Sequence, residues 1–268
     1  MTTKISKEEL RKRDQVMEAL RKAFDWSLKN VKAIFAVLIV FVVAGLGYSL
    51  TSHFKQEAEV EVQEKYFKLE EQVVDKKQKF AEATRLLEAA KTDKKAPAPA
   101  SAPATGDLEK DYGQLVTDLE GLVKEASSFA GGQMAALLLS DLYMEHSAPE
   151  KALAVVDMVE SHAKKDGLLT ALIYTQKGNA LAEMDKCTEA ITAWTKITGN
   201  KALQFAHNEA KLRMALCHES LGQTEQAESL YSEVAQGSTD EADYSASRDA
   251  QKYLRLLKAK KNQQAQGT

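Results

Sequence analysis

The chain has 268 residues and a formal net charge of −3, so it can hold one or two domains and has no overall positive charge for nucleic acid. Hydrophobic residues make up 44% and charged residues 28%, which excludes wholesale disorder. Two cysteines exclude a disulfide scaffold. Because only four prolines occur among many strong helix formers, we expect helix almost throughout.

A basic N-terminal tail, residues 1–31, precedes an apolar segment. Residues 33–50 read AIFAVLIVFVVAGLGYSL and contain no charge. At about 1.5 Å per residue this segment is roughly 27 Å long as a helix, close to the hydrocarbon thickness of a bilayer. We therefore predict a single transmembrane helix at residues 32–51.

Two other interpretations of the apolar segment compete with an anchor. One is a buried core helix, although soluble helices rarely run so long without polarity. The other is a cleaved signal peptide, for which Gly45-Leu46-Gly47 would supply small residues near a cleavage site. An apolar run longer than a signal sequence, behind a long tail, favours the uncleaved anchor.

Basic residues on the two sides of the segment predict its orientation. The twenty residues after Leu50 carry three lysines and five glutamates. The preceding tail carries nine basic residues: Lys4, Lys7, Arg11, Lys12, Arg13, Arg21, Lys22, Lys29 and Lys32. The positive-inside rule then predicts a cytoplasmic N-terminus and an exported remainder.

Residues 52–92 predict one long helix, followed by an Ala/Pro-rich linker at 93–106. Apolar residues alternate at spacings of four and three from Val62 to Ala90, with a charged break at Lys76. This seam would serve either a dimeric coiled coil or packing on the chain's own later helices. The alternating Ala and Pro of the linker favour an extended connector.

Residues 107–260 carry a repeating pattern of small and large side chains. Three segments aligned on Ala152, Ala190 and Ala227 give periods of 38 and 37 residues. Small residues lie twelve positions before these alanines, and large ones four positions after them: Ser140, Gly178 and Ala215, then Val156, Trp194 and Tyr231. Such pairs are typical of tetratricopeptide repeats, whose usual period is about 34.

The predicted fold class is therefore all-α: a single transmembrane helix, an extended helix and a tetratricopeptide-repeat-like α-solenoid. Asp107 is expected to be an N-cap, and Pro149 to lie in the first turn of a second helix. A capping helix is expected to end the repeats near Lys260, and residues 261–268 are expected to form a disordered tail.

The sequence contains no HExxH, GxSxG or CxxC motif and no phosphate-binding loop. We therefore expect a protein that is not an enzyme and needs no cofactor, catalytic residue or metal. Cys187 and Cys217 fall in neighbouring repeats. They are either a disulfide, if the domain is exported, or two small buried hydrophobic residues.

The run SSFAGGQMAALLLSDLYMEHSAPEKALAVVDMVE, with the basic tail and apolar segment before it, resembles a bacterial family. These are the membrane-anchored tetratricopeptide proteins typified by YfgM, the ancillary subunit of the SecYEG translocon. The resemblance implies a single-pass protein of the bacterial inner membrane with a periplasmic repeat domain. It implies partners in the translocon and a membrane-anchored periplasmic chaperone.

Repeat arrays bind partners on the concave surface formed mostly by the first helix of each repeat. Counting from the small residue of each repeat gives these candidates: Met134, Leu137, Asp141, Met144, Thr175, Asn179, Ala182, Leu212, Leu216 and Glu219. Only Asn179 fits the Lys and Asn pattern of repeats that bind a C-terminal carboxylate. Methionine and leucine instead favour adaptable apolar contact.

The sequence therefore predicts a non-catalytic, membrane-anchored periplasmic interaction module, with the translocon-linked role that the resemblance implies. The alternative is a cell-envelope assembly scaffold that dimerises through a coiled coil at residues 52–92.

Overall fold

The computed structural model describes residues 7–92, 97–236 and 241–266. Within these ranges, some side chains lie outside the description: residues 7–16, Ala19, Ala33, Ile34, Val37, Leu38, 241–244 and 264–266. The chain divides into two compact units, residues 1–58 and 59–268.

The first unit contains helix α1 (Lys7–Lys29) and the beginning of helix α2 (Val31–Thr92). Large apolar side chains of the segment 35–50, such as Phe35, Phe41 and Leu46, are exposed. Among the residues that the structure describes, no helix is both long enough and apolar enough to cross a membrane. The predicted span 32–51 includes Ala33, Ile34, Val37 and Leu38, whose side chains lie outside the described part of the chain.

The second unit contains the rest of α2 and a succession of shorter helices. These are α3 (Leu108–Ala126), α4 (Ala130–Glu145), α5 (Pro149–Glu160), α6 (Leu168–Glu183), α7 (Cys187–Thr198), a short 3₁₀ helix (Lys201–Ala206), α8 (His207–Ser220), α9 (Thr224–Gln236) and α10 (Glu241–Gln266). Each helix from α3 to α10 packs against the next one in the chain, as in an array of antiparallel helix pairs.

From Glu59 onward, α2 contributes a buried face to the core that it shares with α3, α4 and α5. Val73 is 1% exposed, and Tyr66 and Ala83 are also buried. Tyr66 and Val73 belong to the same hydrophobic cluster as Leu119 and Leu139. The seam predicted at residues 52–92 therefore packs, from Glu59 onward, within the chain's own second unit.

Polar contacts fix α2 at both ends of α4. The backbone N–H of Ala130, in the first turn of α4, donates to Glu59 Oε1 at 2.9 Å. This carboxylate satisfies an N–H that the helix leaves unpaired, and its charge suits a helix N-terminus. At the other end, Lys77 Nζ lies 2.6 Å from Glu145 Oε1.

Lys76, the charged break in the predicted seam, is accommodated by aromatic rings. Its ammonium group lies 5.9 Å from the ring centre of Phe80 and 5.5 Å from that of Tyr112. It also donates to the backbone carbonyl of Asp111. The cation therefore completes the contact between α2 and α3 instead of interrupting it.

The linker is described from residue 97, and residues 93–96 lie outside the description. Its end is tied to α3 by Asp111, which accepts from the backbone N–H groups of Thr105 and Gly106, both at 2.9 Å. Asp107 is the N-cap of α3, as predicted, and accepts from the N–H groups of Glu109 and Lys110.

Three helix pairs, α4–α5, α6–α7 and α8–α9, contain the aligned small and large residues. Ser140, Gly178 and Ala215 are buried, and so are Val156, Trp194 and Tyr231. At Gly178 an added Cβ atom would lie 2.2 Å from the indole nitrogen of Trp194. Glycine is therefore required there for the helices to pack. Pro149 is in the first turn of α5, as predicted.

Helix α10 closes the array and extends beyond the predicted end at Lys260. Ala250 and Leu257 pack in one cluster with Tyr231. Lys261 lies 2.8 Å from Glu228 of α9, an ion pair that favours continued helix there. Residues 261–266 are thus helical where the sequence predicted a disordered tail, and residues 267–268 lie outside the description.

Candidate interaction groove

A groove of about 420 Å³ lies in the second unit where α6, α7 and α8 meet. We call it the α6–α8 groove. It is lined by Met144, Asn179, Ala182, Glu183, Cys187, Trp194, Arg213, Leu216, Cys217 and Ser220. It is therefore formed by residues of two successive repeats and by the C-terminal end of α4.

Four of the ten predicted interaction residues line this groove. They are Met144 from α4, Asn179 and Ala182 from α6, and Leu216 from α8. Asn179 and Ala182 lie three positions apart and so share one face of α6. Asn179 Nδ2 donates to Gln176 Oε1 at 3.0 Å, and Met144, Ala182 and Leu216 add apolar side chains from three helices to the lining.

Three other predicted residues belong to α4 and are engaged with neighbouring elements. Met134 and Leu137 are partly buried and pack against the cluster that contains Tyr66 and Val73 of α2. Asp141 accepts a hydrogen bond from the side-chain amide of Gln176. Burial raises the pKa of Asp141, while the bond from Gln176 opposes that shift.

The remaining predictions, Thr175, Leu212 and Glu219, do not line the groove. Thr175 is partly buried on α6. Leu212 is 6% exposed and lies in the cluster with Tyr231 and α10, so it is a core residue and not a binding residue. Glu219 accepts from the hydroxyl group of Tyr231 at 3.2 Å and pairs with Lys260 at 2.6 Å. This acidic side chain therefore ties the capping helix to the array.

Arg213 and Trp194 also line the groove, although the repeat pattern did not predict them as interaction residues. Arg213, Leu216, Cys217 and Ser220 follow the helical spacing of three and four, so they share one face of α8. That face is turned by one residue from the predicted face with Leu212 and Glu219. The helical periodicity of α8 was therefore visible in the sequence. Which face of α8 lines the groove, however, depended on how α8 packs on α9 and α10.

Three polar atoms in the groove-lining residues are buried and have no hydrogen-bond partner among the described residues. They are Asn179 Oδ1, Trp194 Nε1 and Arg213 Nε. Trp194 is 2% exposed, and Arg213 is held through another nitrogen, Nη2, which lies 2.7 Å from Glu209 Oε1. These three atoms therefore lie inside the wall of the groove, whereas Leu216 is 38% exposed.

Cys187 and Cys217 form a disulfide in the structure, with their Cα atoms 5.1 Å apart. Cys187 is the first residue of α7, and Cys217 lies in α8. The bond joins the second repeat to the third at the wall of the α6–α8 groove. It thereby constrains the spacing of the helices that form the groove.

Within the described ranges, no group of three or more His, Cys, Asp or Glu side chains is arranged to hold a metal ion. The groove instead combines an apolar wall with a few hydrogen-bonding groups, which is the usual composition of a binding site. The arrangement suits recognition of a polypeptide segment, because an apolar side chain of that segment can contact Leu216 and Met144.

Comparison with known proteins gives a family match that covers most of the chain. The model of the tetratricopeptide repeat-like domain family matches residues 25–217. No curated protein matches the chain.

Two solved structures match parts of the chain. A crystal structure of MamA has a TM-score of 0.40 and 18% identity, covering 62% of this chain and 99% of that chain. A Podosopora anserina protein, described as a kinesin light chain with nearly identical TPR-like repeats, has a TM-score of 0.43 and 14% identity. That match covers 58% of this chain and 90% of that one.

Proposed function

Because the chain belongs to the tetratricopeptide repeat-like domain family, we propose that it is a non-catalytic scaffold whose α6–α8 groove holds a segment of a protein partner. The observation that carries this proposal is the groove of about 420 Å³, which apolar residues of three helices line: Met144 of α4, Ala182 of α6 and Leu216 of α8. Leu216 is 38% exposed.

An extended segment of a partner matches the groove chemically. The Arg213 side chain is 37% exposed, and its guanidinium group would donate to a main-chain carbonyl oxygen of the segment. Leu216 is 38% exposed and would contact an apolar side chain of the partner. Glu183, an acidic residue in the same lining, disfavours a segment that carries a negative charge there.

We further propose that residues 32–51 anchor the protein in the bacterial inner membrane, with the N-terminus in the cytoplasm and the repeats in the periplasm. The uncharged sequence of residues 33–50 supports an anchor, and the nine basic residues before it support this orientation. The Cys187–Cys217 disulfide supports an oxidising compartment for the repeats.

The resemblance to the YfgM-type family supports a specific partner set: the SecYEG translocon and a membrane-anchored periplasmic chaperone. In this proposal the protein links the translocon to the chaperone and holds segments of newly exported proteins. The anchor would keep the α6–α8 groove close to the site of export.

Affinity purification tests the proposed function. The full-length protein is recovered from gently solubilised membranes, and translocon and chaperone components are quantified. We expect both to co-purify, and we expect Arg213→Ala combined with Asn179→Ala to reduce at least one of them. Arg248→Ala, a matched change at an exposed arginine of α10, should have no effect. Recovery of neither component, with the protein intact, would contradict the translocon-linked role.

Proteolysis of intact spheroplasts tests the orientation separately. We expect protease to degrade the repeats and to spare the basic tail. Protection of the repeats in spheroplasts, with cleavage after lysis, would place them in the cytoplasm and would contradict the periplasmic role.

The alternative function, a cell-envelope scaffold that dimerises through residues 52–92, receives less support. A coiled coil would need the seam side chains of the long helix to be free for a second chain. Tyr66 and Val73 of that seam are instead buried in the second unit. Dimerisation through this seam would require α2 to leave α3 and α4.

A further inference from the structure

We propose that the outward face of α2 is a second interaction surface, independent of the α6–α8 groove, and that it binds a basic amphipathic helix of a partner protein. The surface consists of Val60, Phe67 and Val74, and we call it the α2 stripe. These side chains are 51%, 53% and 46% exposed, respectively. They are large apolar residues that the protein's own fold leaves uncovered.

The α2 stripe has the spacing of a helix-binding seam. Its residues recur at intervals of seven, which returns to nearly the same side of an α-helix at about 100° per residue. The stripe lies on a different side from the buried seam with Tyr66 and Val73. Helix α2 therefore has one apolar face committed to its own unit and a second, narrower one directed to solvent.

The charges beside the α2 stripe define the partner. The positions that flank it between Val60 and Val74, at three or four residues from a stripe residue, are Gln63, Glu64, Glu70 and Glu71. None is basic. Glu70 accepts from the hydroxyl group of Tyr66 at 2.7 Å, whereas Glu64 and Glu71 form no ion pair with any described residue.

In paired helices, charged residues beside an apolar seam determine which partners associate. A second copy of this chain would place glutamates against glutamates, which disfavours a homodimer through the α2 stripe. An anionic lipid surface would be repelled in the same way. A helix with apolar residues at seven-residue spacing, flanked by lysine or arginine, would meet complementary charge on both sides.

The test uses full-length protein in detergent micelles and two synthetic helical peptides of about four heptads. Both peptides have leucine at the two apolar positions of each heptad, and their flanking positions are all lysine in one and all glutamate in the other. Fluorescence anisotropy of labelled peptide measures affinity. We expect the lysine peptide to bind at least about tenfold more tightly than the glutamate peptide.

Variants connect this binding to the α2 stripe. Phe67→Glu should weaken the lysine peptide about tenfold or more, and Glu64→Lys combined with Glu71→Lys should reverse the preference between the peptides. Leu256→Glu, at a 50% exposed leucine of α10, is the matched control and should change neither affinity. Thermal melting of each variant verifies that it is folded.

Several results would overturn the proposal. They are equal binding of the two peptides, no change in the anisotropy of the labelled lysine peptide when the protein is in about 100-fold excess over it, or a preference that survives the charge-reversal variant. Cross-linking of two copies of the chain through a cysteine at Phe67 would also overturn it, because it would identify a second copy as the occupant. Arg213→Ala changes the α6–α8 groove and not the α2 stripe, so the two surfaces are tested separately.

Discussion

Helix α4 and helices α6 and α8 occupy equivalent positions in successive repeats, but their corresponding faces have different surroundings. In α4 the face with Met134 and Leu137 packs against the cluster that includes α2. In α6 and α8 the positions that follow the aligned Gly178 and Ala215, which are Asn179 and Leu216, line an open groove, whereas the equivalent Asp141 of α4 does not. The repeat pattern thus determines where a face points, while a separate element decides whether that face remains free to bind.

The contrast has an identifiable cause in α2. Glu59 reaches the first turn of α4 and Lys77 reaches its last residue, so α2 follows the whole length of that helix. At Gly131 an added Cβ would lie 2.8 Å from Val62 Cγ1 and 3.0 Å from the backbone nitrogen of Gln63. The first repeat is therefore shaped to receive α2, and the later repeats carry the groove.

Trp194→Ala is the change with the largest expected effect on the groove region. Trp194 is nearly fully buried against Gly178, so its removal leaves a cavity and should lower the free energy of unfolding by about 3–5 kcal/mol. Chemical denaturation measures this. Leu172→Ala, at an exposed leucine of α6, should cost far less. Equal costs for the two variants would contradict the packing described here.

Removing the disulfide has the second-largest expected effect, and it should act on the groove region more than on α2 and α4. Its cysteines are 30 residues apart, and loops of this size contribute about 3–4 kcal/mol when cross-linked. Cys187→Ser combined with Cys217→Ser should therefore destabilise the protein. Hydrogen exchange should accelerate mainly in α7 and α8. A larger acceleration in α2 and α4 than in α7 and α8 would show that the bond does not act on the groove.

Gly131→Ala tests the coverage of the first repeat. Because its Cβ would collide with α2, we expect a loss of about 1–3 kcal/mol in unfolding free energy. Gly121→Ala is the matched control, because a Cβ at this helical glycine of α3 meets nothing within 4 Å. The control should be neutral or stabilising by about 0.4–1 kcal/mol. If the two variants have the same unfolding free energy, α2 does not pack closely on α4.

The smallest expected effect concerns acid stability at the start of α3. Burial raises the pKa of Asp111, but hydrogen bonds from Thr105 and Gly106 outweigh it, so the pKa lies below its ordinary value. The folded state therefore gains stability from this carboxylate above about pH 4, and loses it as the pH falls through the lowered pKa. In Asp111→Asn this part of the acid dependence should disappear. Identical stability-pH curves, measured by thermal melting below pH 5, would contradict this assignment.

Local pattern predicted the repeats well, because their packing depends on residues close in sequence. The small residue at 178 and the tryptophan at 194 are sixteen positions apart and belong to one helix pair, so their contact follows from the repeat alone. The same holds for Asp107 and Pro149, whose roles depend on the turn in which they lie.

The composition of the groove could not be predicted in the same way. Leu212 and Arg213 are adjacent, and only the packing of α8 against α9 and α10 decides that Leu212 is buried and Arg213 lines the groove. Coverage of Met134 and Leu137 depends on α2, which lies more than fifty residues earlier in the chain. Lys76 was interpreted as a break because its aromatic neighbour Tyr112 comes from a distant helix.

Site-specific photo-cross-linking in cells tests the central claim most directly, that partners contact the open faces of α6 and α8 and not the covered face of α4. A photoreactive residue is placed at Leu216 in one protein and at Leu137 in another, and cross-linked proteins are identified by mass spectrometry. We predict cross-links to a translocon or chaperone component from Leu216 and only intramolecular products from Leu137. Equal cross-linking of partners from both positions, or from Leu137 alone, would contradict the account.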